Sequence, residues 1–178
     1  MAVLPIITAP HPILAGKARD VRDDEFGPEL DTFVSDMAET MYAAPGVGLA
    51  APQVADPRRI VVIDSGKEPD EGGSGLLRMV NPKITARSKE TIPWNETCLS
   101  VPELEVTVQR SKHITVTWRT PLGEPMEQDF HDFEAVICQH ELDHLIGTVL
   151  LDRVSRFRRG RYLKKVKKFQ RRAERIEA

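Results

Sequence analysis

A chain of 178 residues, 40% hydrophobic and 29% charged, has the size and composition of one globular domain with a substantial core. Nothing in it reaches the ~20 consecutive apolar residues of a membrane-spanning helix. Its two cysteines, Cys98 and Cys138, are too few for a disulfide framework and are expected as thiols in a reducing cytoplasm. The net charge of −2 conceals an asymmetry, because residues 155–178 carry eleven Lys/Arg against two Glu, so an acidic body ends in a basic tail suited to an anionic partner.

The opening MAVLPIITAPHPIL lacks a basic n-region and is interrupted by Pro5, Pro10 and Pro12, so it does not read as a signal peptide, and the protein is expected to stay in the cytoplasm. From 28 to 43, Leu30, Phe33, Val34, Met37 and Met41 recur at helical spacing with Asp31, Asp36 and Glu39 opposite, which predicts an amphipathic helix stopped before Pro45-Gly46. RIVVID at 59–64 reads as a buried strand, 65–75 as a loop, and 76–80, 104–109 and 113–119 as short strands. PLGEP at 121–125 predicts a turn. Residues 132–146 predict an apolar helix with Asp132 as its cap and Gly147 as its stop. Grouped strands between helices predict an α+β fold, not a doubly wound sheet. The divisions expected are a body over 1–154 and an appended basic helix over 155–178.

Chemistry concentrates in His140-Glu141-Leu142-Asp143-His144, an HExxH pattern. Residues on a helix advance by ~100°, so positions four apart stand within ~40° of one another, one turn up the same face. Two imidazoles so spaced reach one metal ion, and Glu141 beside them can serve a water there. The bland alternative is a pair of core histidines. Against it, a buried helix rich in Val136, Ile137, Leu142, Leu145 and Ile146 must find partners for two histidines and two carboxylates.

The third ligand separates enzyme classes. Leu150 occupies the position of the third histidine in HExxHxxGxxH, which removes the metzincin reading. The glutamates after His144 are Glu174 and Glu177, both in the basic tail. Cys138 precedes His140 by two residues and points ~200° away on a regular helix, so it reads as a small buried hydrophobe. Cys98, in WNETCLSVP, is left as the third ligand of a Cys/His/His site with one open position.

With these residues in view, the chain resembles the peptide deformylases, which carry GxGxAAxQ, EGCxS and QHExDH in that order. Here they stand as Gly46-Val47-Gly48-Leu49-Ala50-Ala51-Pro52-Gln53, Glu96-Thr97-Cys98-Leu99-Ser100 and Gln139-His140-Glu141-Leu142-Asp143-His144. One position departs: Thr97 replaces a glycine, which implies extended backbone there or a shifted loop. The resemblance implies antiparallel sheets packed around a central buried helix that carries HExxH, followed by a C-terminal helix. It also implies hydrolysis of N-formylmethionyl peptides to formate, with Glu141 as proton carrier. Gln53 and the Leu99 backbone N–H would stabilise the oxyanion, and Gly46, Val47 and Gly48 would lie along the substrate. Zinc is the default for such ligands, whereas the resemblance implies one Fe²⁺, with Ni²⁺, Co²⁺ or Zn²⁺ able to replace it.

GVGLAA also fits a dinucleotide fingerprint, but that needs a strand before the first glycine, where this chain has a helix and Pro45. A metallopeptidase with the same helix leaves Cys98 and Gln53 unexplained, and an inactive ribosome-binding relative rests on Thr97 alone. In the tail, Tyr162, Val166, Phe169, Ala173 and Ile176 form a narrow apolar seam among Lys164, Lys165, Lys167, Lys168, Arg171 and Arg172. Either the helix packs this seam on the body, or it attaches electrostatically to nucleic acid. The resemblance implies docking on the ribosome, by a monomer.

Overall fold

The structure is a computed structural model that describes residues 2–66 and 73–177, with side chains through 168. Helix α1 (Pro28–Ala43) comes first, then the short strands β1 (Gly48–Ala50) and β2 (Ile60–Ile63). A run of longer strands follows: β3 (Leu77–Arg87), β4 (Thr91–Cys98), β5 (Val101–Ser111), β6 (His113–Arg119) and β7 (Pro125–His131). Helices α2 (Asp132–His144) and α3 (Arg156–Glu177) close the chain. Strands β1-β2-β3-β6-β7 form one sheet in that order and β4-β5 a second, and every strand pair is antiparallel. The α+β expectation holds.

The sequence IVVI explains how the larger sheet sits. Side chains alternate along a strand, and both faces of β2 are buried. Val61 and Ile63 pack with Ala135, Ile137 and Cys138 of α2, while Ile60 and Val62 pack with Val34, Met37 and Met41 of α1. A strand between two helices has no water-facing side, hence the unbroken apolar run. Helix α2 is buried almost all round, through Ala135, Val136, Ile137, Cys138, Gln139, Glu141 and His144. The β4-β5 hairpin covers a third cluster, in which Val101, Leu104, Val106 and Val108 meet Leu14, Leu150 and Leu151.

Several boundaries differ from expectation. Helix α1 and strand β6 match their predicted spans, but β3 and β5 each reach 11 residues, and β1, β4 and β7 had no predicted counterpart. Pro125, assigned to the turn, begins β7. Asp132 does not cap α2: the N-cap is His131, no side chain bonds the first turn, and Asp132 itself has φ 47°. The helix ends at His144, and Gly147 turns the chain at φ +75°, where an added Cβ would meet the Ala15 carbonyl oxygen at 2.5 Å. The predicted loop 65–75 falls partly outside the described residues, at 67–72, and Phe169, Ala173 and Ile176 of the seam lie beyond the described side chains. Both cysteines are free thiols. Among the described residues no helix is long and apolar enough to cross a membrane.

Candidate active site

Strand β4 ends at Cys98, and a two-residue turn, Leu99-Ser100, returns the chain into β5 with Cys98 opposite Val101. Thr97 takes its place within the strand in ordinary negative-φ backbone, so a β-branched residue fits there without strain, as an extended conformation requires. The turn sets Cys98 against α2. One donor atom from each of Cys98, His140 and His144 lies within 4.8 Å of the others, and among the described residues no other such group occurs. Cys98 Sγ is 3.4 Å from His144 Nε2. A tetrahedral site with bonds of ~2.0–2.3 Å has donor–donor edges of roughly 3.4 Å. The donor set therefore suits a divalent ion after small side-chain adjustments, and the three ligands expected from sequence are the three brought together.

His140 is oriented from outside, whereas His144 Nδ1 has no hydrogen-bond partner among the described residues. Glu96 precedes Cys98 by two, so strand alternation turns both side chains inward. Glu96 Oε2 stands 2.7 Å from His140 Nδ1, which leaves the Nε2 edge of that ring for the site. The Arg110 guanidinium grips both oxygens of Glu96 at 2.6 and 2.9 Å and donates to Asp143 at 2.7 Å, and Arg153 donates to the same Asp143 oxygen at 2.6 Å. Burial alone would raise the Glu96 carboxyl, but the hydrogen bonds from Arg110 and His140 outweigh it and hold it down at about 2. This chain of charges was not assigned from sequence. Its signal was present in β5, where Arg110 continues the inward series Leu104, Val106, Val108, and a buried arginine in such a series requires a carboxylate.

Glu141 stands beside His140 at the same cleft. Its carboxyl is buried, and Oε2 has no hydrogen-bond partner among the described residues. Burial is the main reason its pKa rises to about 7. The same burial lowers His144 to about 3, so this imidazole is neutral and its lone pair available. Gly48 in β1 makes the room: a Cβ there would meet Glu141 Oε1 at closer than contact distance and its Cδ and Cγ at 2.8 Å. Gly46 is crowded by the Leu99 side chain, 3.0 Å from where a Cβ would stand. Sequence reading assigned these glycines to substrate; their nearest neighbours within the chain are a carboxylate and a leucine.

Gln53 belongs to a 3₁₀ turn, Ala51–Val54, that directly follows β1. Its Oε1 accepts from the Ala50 N–H at 2.8 Å, which fixes the amide the right way round. Nε2 then faces Ser100 Oγ at 3.2 Å and Cys98 Sγ at 3.8 Å. Over these groups opens a cleft of about 460 Å³. Gly46, Val47, Trp94, Leu99, Phe133 and Ile137 form much of its apolar wall, and His140 and Glu141 stand at its polar end. Such an arrangement can hold a cation, seat an apolar side chain beside it, and move a proton at Glu141.

Residues 3–160 match the family model described as polypeptide deformylase. A peptide deformylase from Phenylobacterium zucineum is 41% identical over 168 residues, covering 94% of this chain and 97% of that protein. The crystal structure of a peptide deformylase from Ehrlichia chaffeensis superposes with a TM-score of 0.87 at 34% identity, over 97% of this chain and 99% of the other. A class I type b peptide deformylase from Acinetobacter baumannii, bound to Met-Ala-Ser, superposes with a TM-score of 0.79 at 35% identity, over 86% and 99%. With both sequence and fold matched along almost its entire length, the chain belongs to the polypeptide deformylase family of metal-dependent hydrolases.

Proposed function

We propose that this protein removes the N-formyl group from the formyl-methionine of nascent polypeptides, releasing formate. The observation that carries the reading is the convergence of Cys98, His140 and His144 beside a buried Glu141 with an unpartnered oxygen. When bound by these three side chains, a divalent ion, Fe²⁺ by family resemblance, supplies positive charge at the formyl group and a water acidified toward neutrality. Glu141, at about 7, takes a proton at neutral pH and returns it to the leaving amine. Gln53 Nε2 and the Leu99 backbone N–H donate to the formyl oxygen as it gains charge. The methionine side chain enters the apolar wall of the cleft, and the peptide backbone runs along Gly46, Val47 and Gly48. The Met-Ala-Ser held by the Acinetobacter enzyme has the form of the product expected here.

The wider reading is of a monomeric, cytoplasmic enzyme whose body spans 1–154 and whose basic helix over 155–178 attaches it to the ribosome. In support, the outer residues Phe157, Arg161, Lys164 and Lys168 are exposed, while Tyr162 and Leu163 pack on the body. The test is formate release from formyl-Met-Ala-Ser by protein prepared without oxygen, alongside Glu141→Ala. Rapid release by the wild type and at least a ~10³-fold loss in the variant is expected for removal of the group that carries the proton. A folded, Fe²⁺-loaded wild type that releases no formate sinks the proposal, and cleavage of unformylated Met-Ala-Ser would replace it with a peptidase.

A further inference from the structure

Another face of α2 lines a second pocket, of about 430 Å³, together with β3 and β5. Its charged lining is one-sided: Arg59, Lys83, Arg87, Arg110 and Arg153 against Asp143. That one carboxylate already serves Arg110 and Arg153 at 2.7 and 2.6 Å. Arg59 pairs with Asp20 at 3.2 Å, outside the lining. Lys83 makes no ion pair among the described residues, and Arg87 hydrogen-bonds only the neutral Gln139 Oε1, at 3.1 Å. Two cations thus face a concave space with no carboxylate of their own, over a floor that includes Arg110, 5% exposed. Low-dielectric walls concentrate the field of such charges, and guanidinium and ammonium groups lining one concave space are the side chains that take the oxygens of a phosphate group.

We propose that this pocket is a phosphate-binding site, with Lys83 and Arg87 as the groups that take the anion and Arg153 at its rim. It is separate from the cleft that holds the Cys/His/His cluster and does not rest on the deformylation reading. The ligand chemistry is a phosphate dianion or a phosphodiester. Arg153 lies three residues before α3, so an RNA strand on the basic tail would pass near the pocket.

The test uses the full-length, metal-loaded protein, titrated with inorganic phosphate at constant ionic strength and with chloride as control. Arginine side-chain NMR signals report binding. A saturable response is expected in the wild type, weakened at least about tenfold in Lys83→Ser/Arg87→Gln, since each lost cation removes a charge-assisted contact. A response that never saturates, or equal affinity in wild type and double variant, overturns the site. A twelve-nucleotide single-stranded RNA then identifies the source. Displacement of phosphate by RNA in the wild type, with RNA affinity itself lowered in the double variant, assigns the pocket to a phosphodiester. Phosphate binding that RNA does not disturb assigns it to a free phosphate or phosphorylated small molecule.

Discussion

A methyl group at position 48 would stand 2.8 Å from both Cγ and Cδ of Glu141, well inside van der Waals contact. Gly48 is in β1, paired with Ile63, so its backbone cannot retreat without disturbing the sheet, and the carboxylate must move instead. Gly48→Ala is therefore expected to displace the proton carrier. A displacement near 1 Å costs ~10² in rate. The expected result is kcat down by about that factor with melting temperature little changed; an unaltered kcat would mean that Glu141 needs no fixed position. The grouping of Cys98, His140 and His144 was legible because two imidazoles four apart on a helix, with one cysteine excluded by angle, leave little choice. That Gly48 leaves room for Glu141 was not legible. Its neighbour is 93 residues away in sequence, and nothing local states which side chain fills the space of an absent Cβ.

Between elements, the pair Glu96–Arg110 and its contacts with His140 and Asp143 join the β4-β5 hairpin to α2. Glu96 is held at about 2, below its ordinary 4.5, so its contribution to stability is fully present above pH 4.5 and is lost as pH falls toward 2. The displacement corresponds to about 3 kcal/mol. Glu96→Gln is expected to melt earlier at pH 7, because Arg110 keeps only Asp143 and broken buried pairs cost about 3–5 kcal/mol. Melting curves of the metal-free proteins from pH 7 to 3 provide the check: the gap between wild type and variant should hold above pH 4.5 and narrow steadily from there to pH 3. A gap independent of pH would show that Glu96 acts by packing and not by charge. Strand β4 itself escaped sequence reading because its inward series, Ile92, Trp94, Glu96 and Cys98, is interrupted by a carboxylate and Pro93 lies within it, although its burial alternates as in β5 and β6. The short β1 escaped because three residues carry no period at all.

For the whole molecule, the question is what the basic tail does besides pack. Its inner side is committed to the body: Arg158 donates to the Glu105 carbonyl at 2.6 Å, Arg159 pairs with Asp152 at 2.8 Å, and Lys165 pairs with Glu103. Tyr162 and Leu163 join the cluster under the β4-β5 hairpin. The packing reading of the tail thus holds for its inner face and leaves the outer face to the proposed attachment, a division that charge and periodicity alone could not draw because Glu103 and Glu105 lie more than 50 residues upstream of their partners. The outer face keeps Arg161, Lys164 and Lys168 exposed beside Phe157, which is 76% exposed. Reversing those three charges to Glu leaves every body contact named above in place, and so isolates attachment from folding better than truncation after Ser155. Neutralised phosphate contacts dominate nucleic-acid affinity and each adds about one unit to the salt slope. The triple variant is expected to lose at least about a hundredfold in ribosome cosedimentation, with a shallower salt dependence, while formate release from a short peptide is unchanged. Undiminished cosedimentation would move the ribosome contact off α3, leaving its charge to the body's own acidic surface.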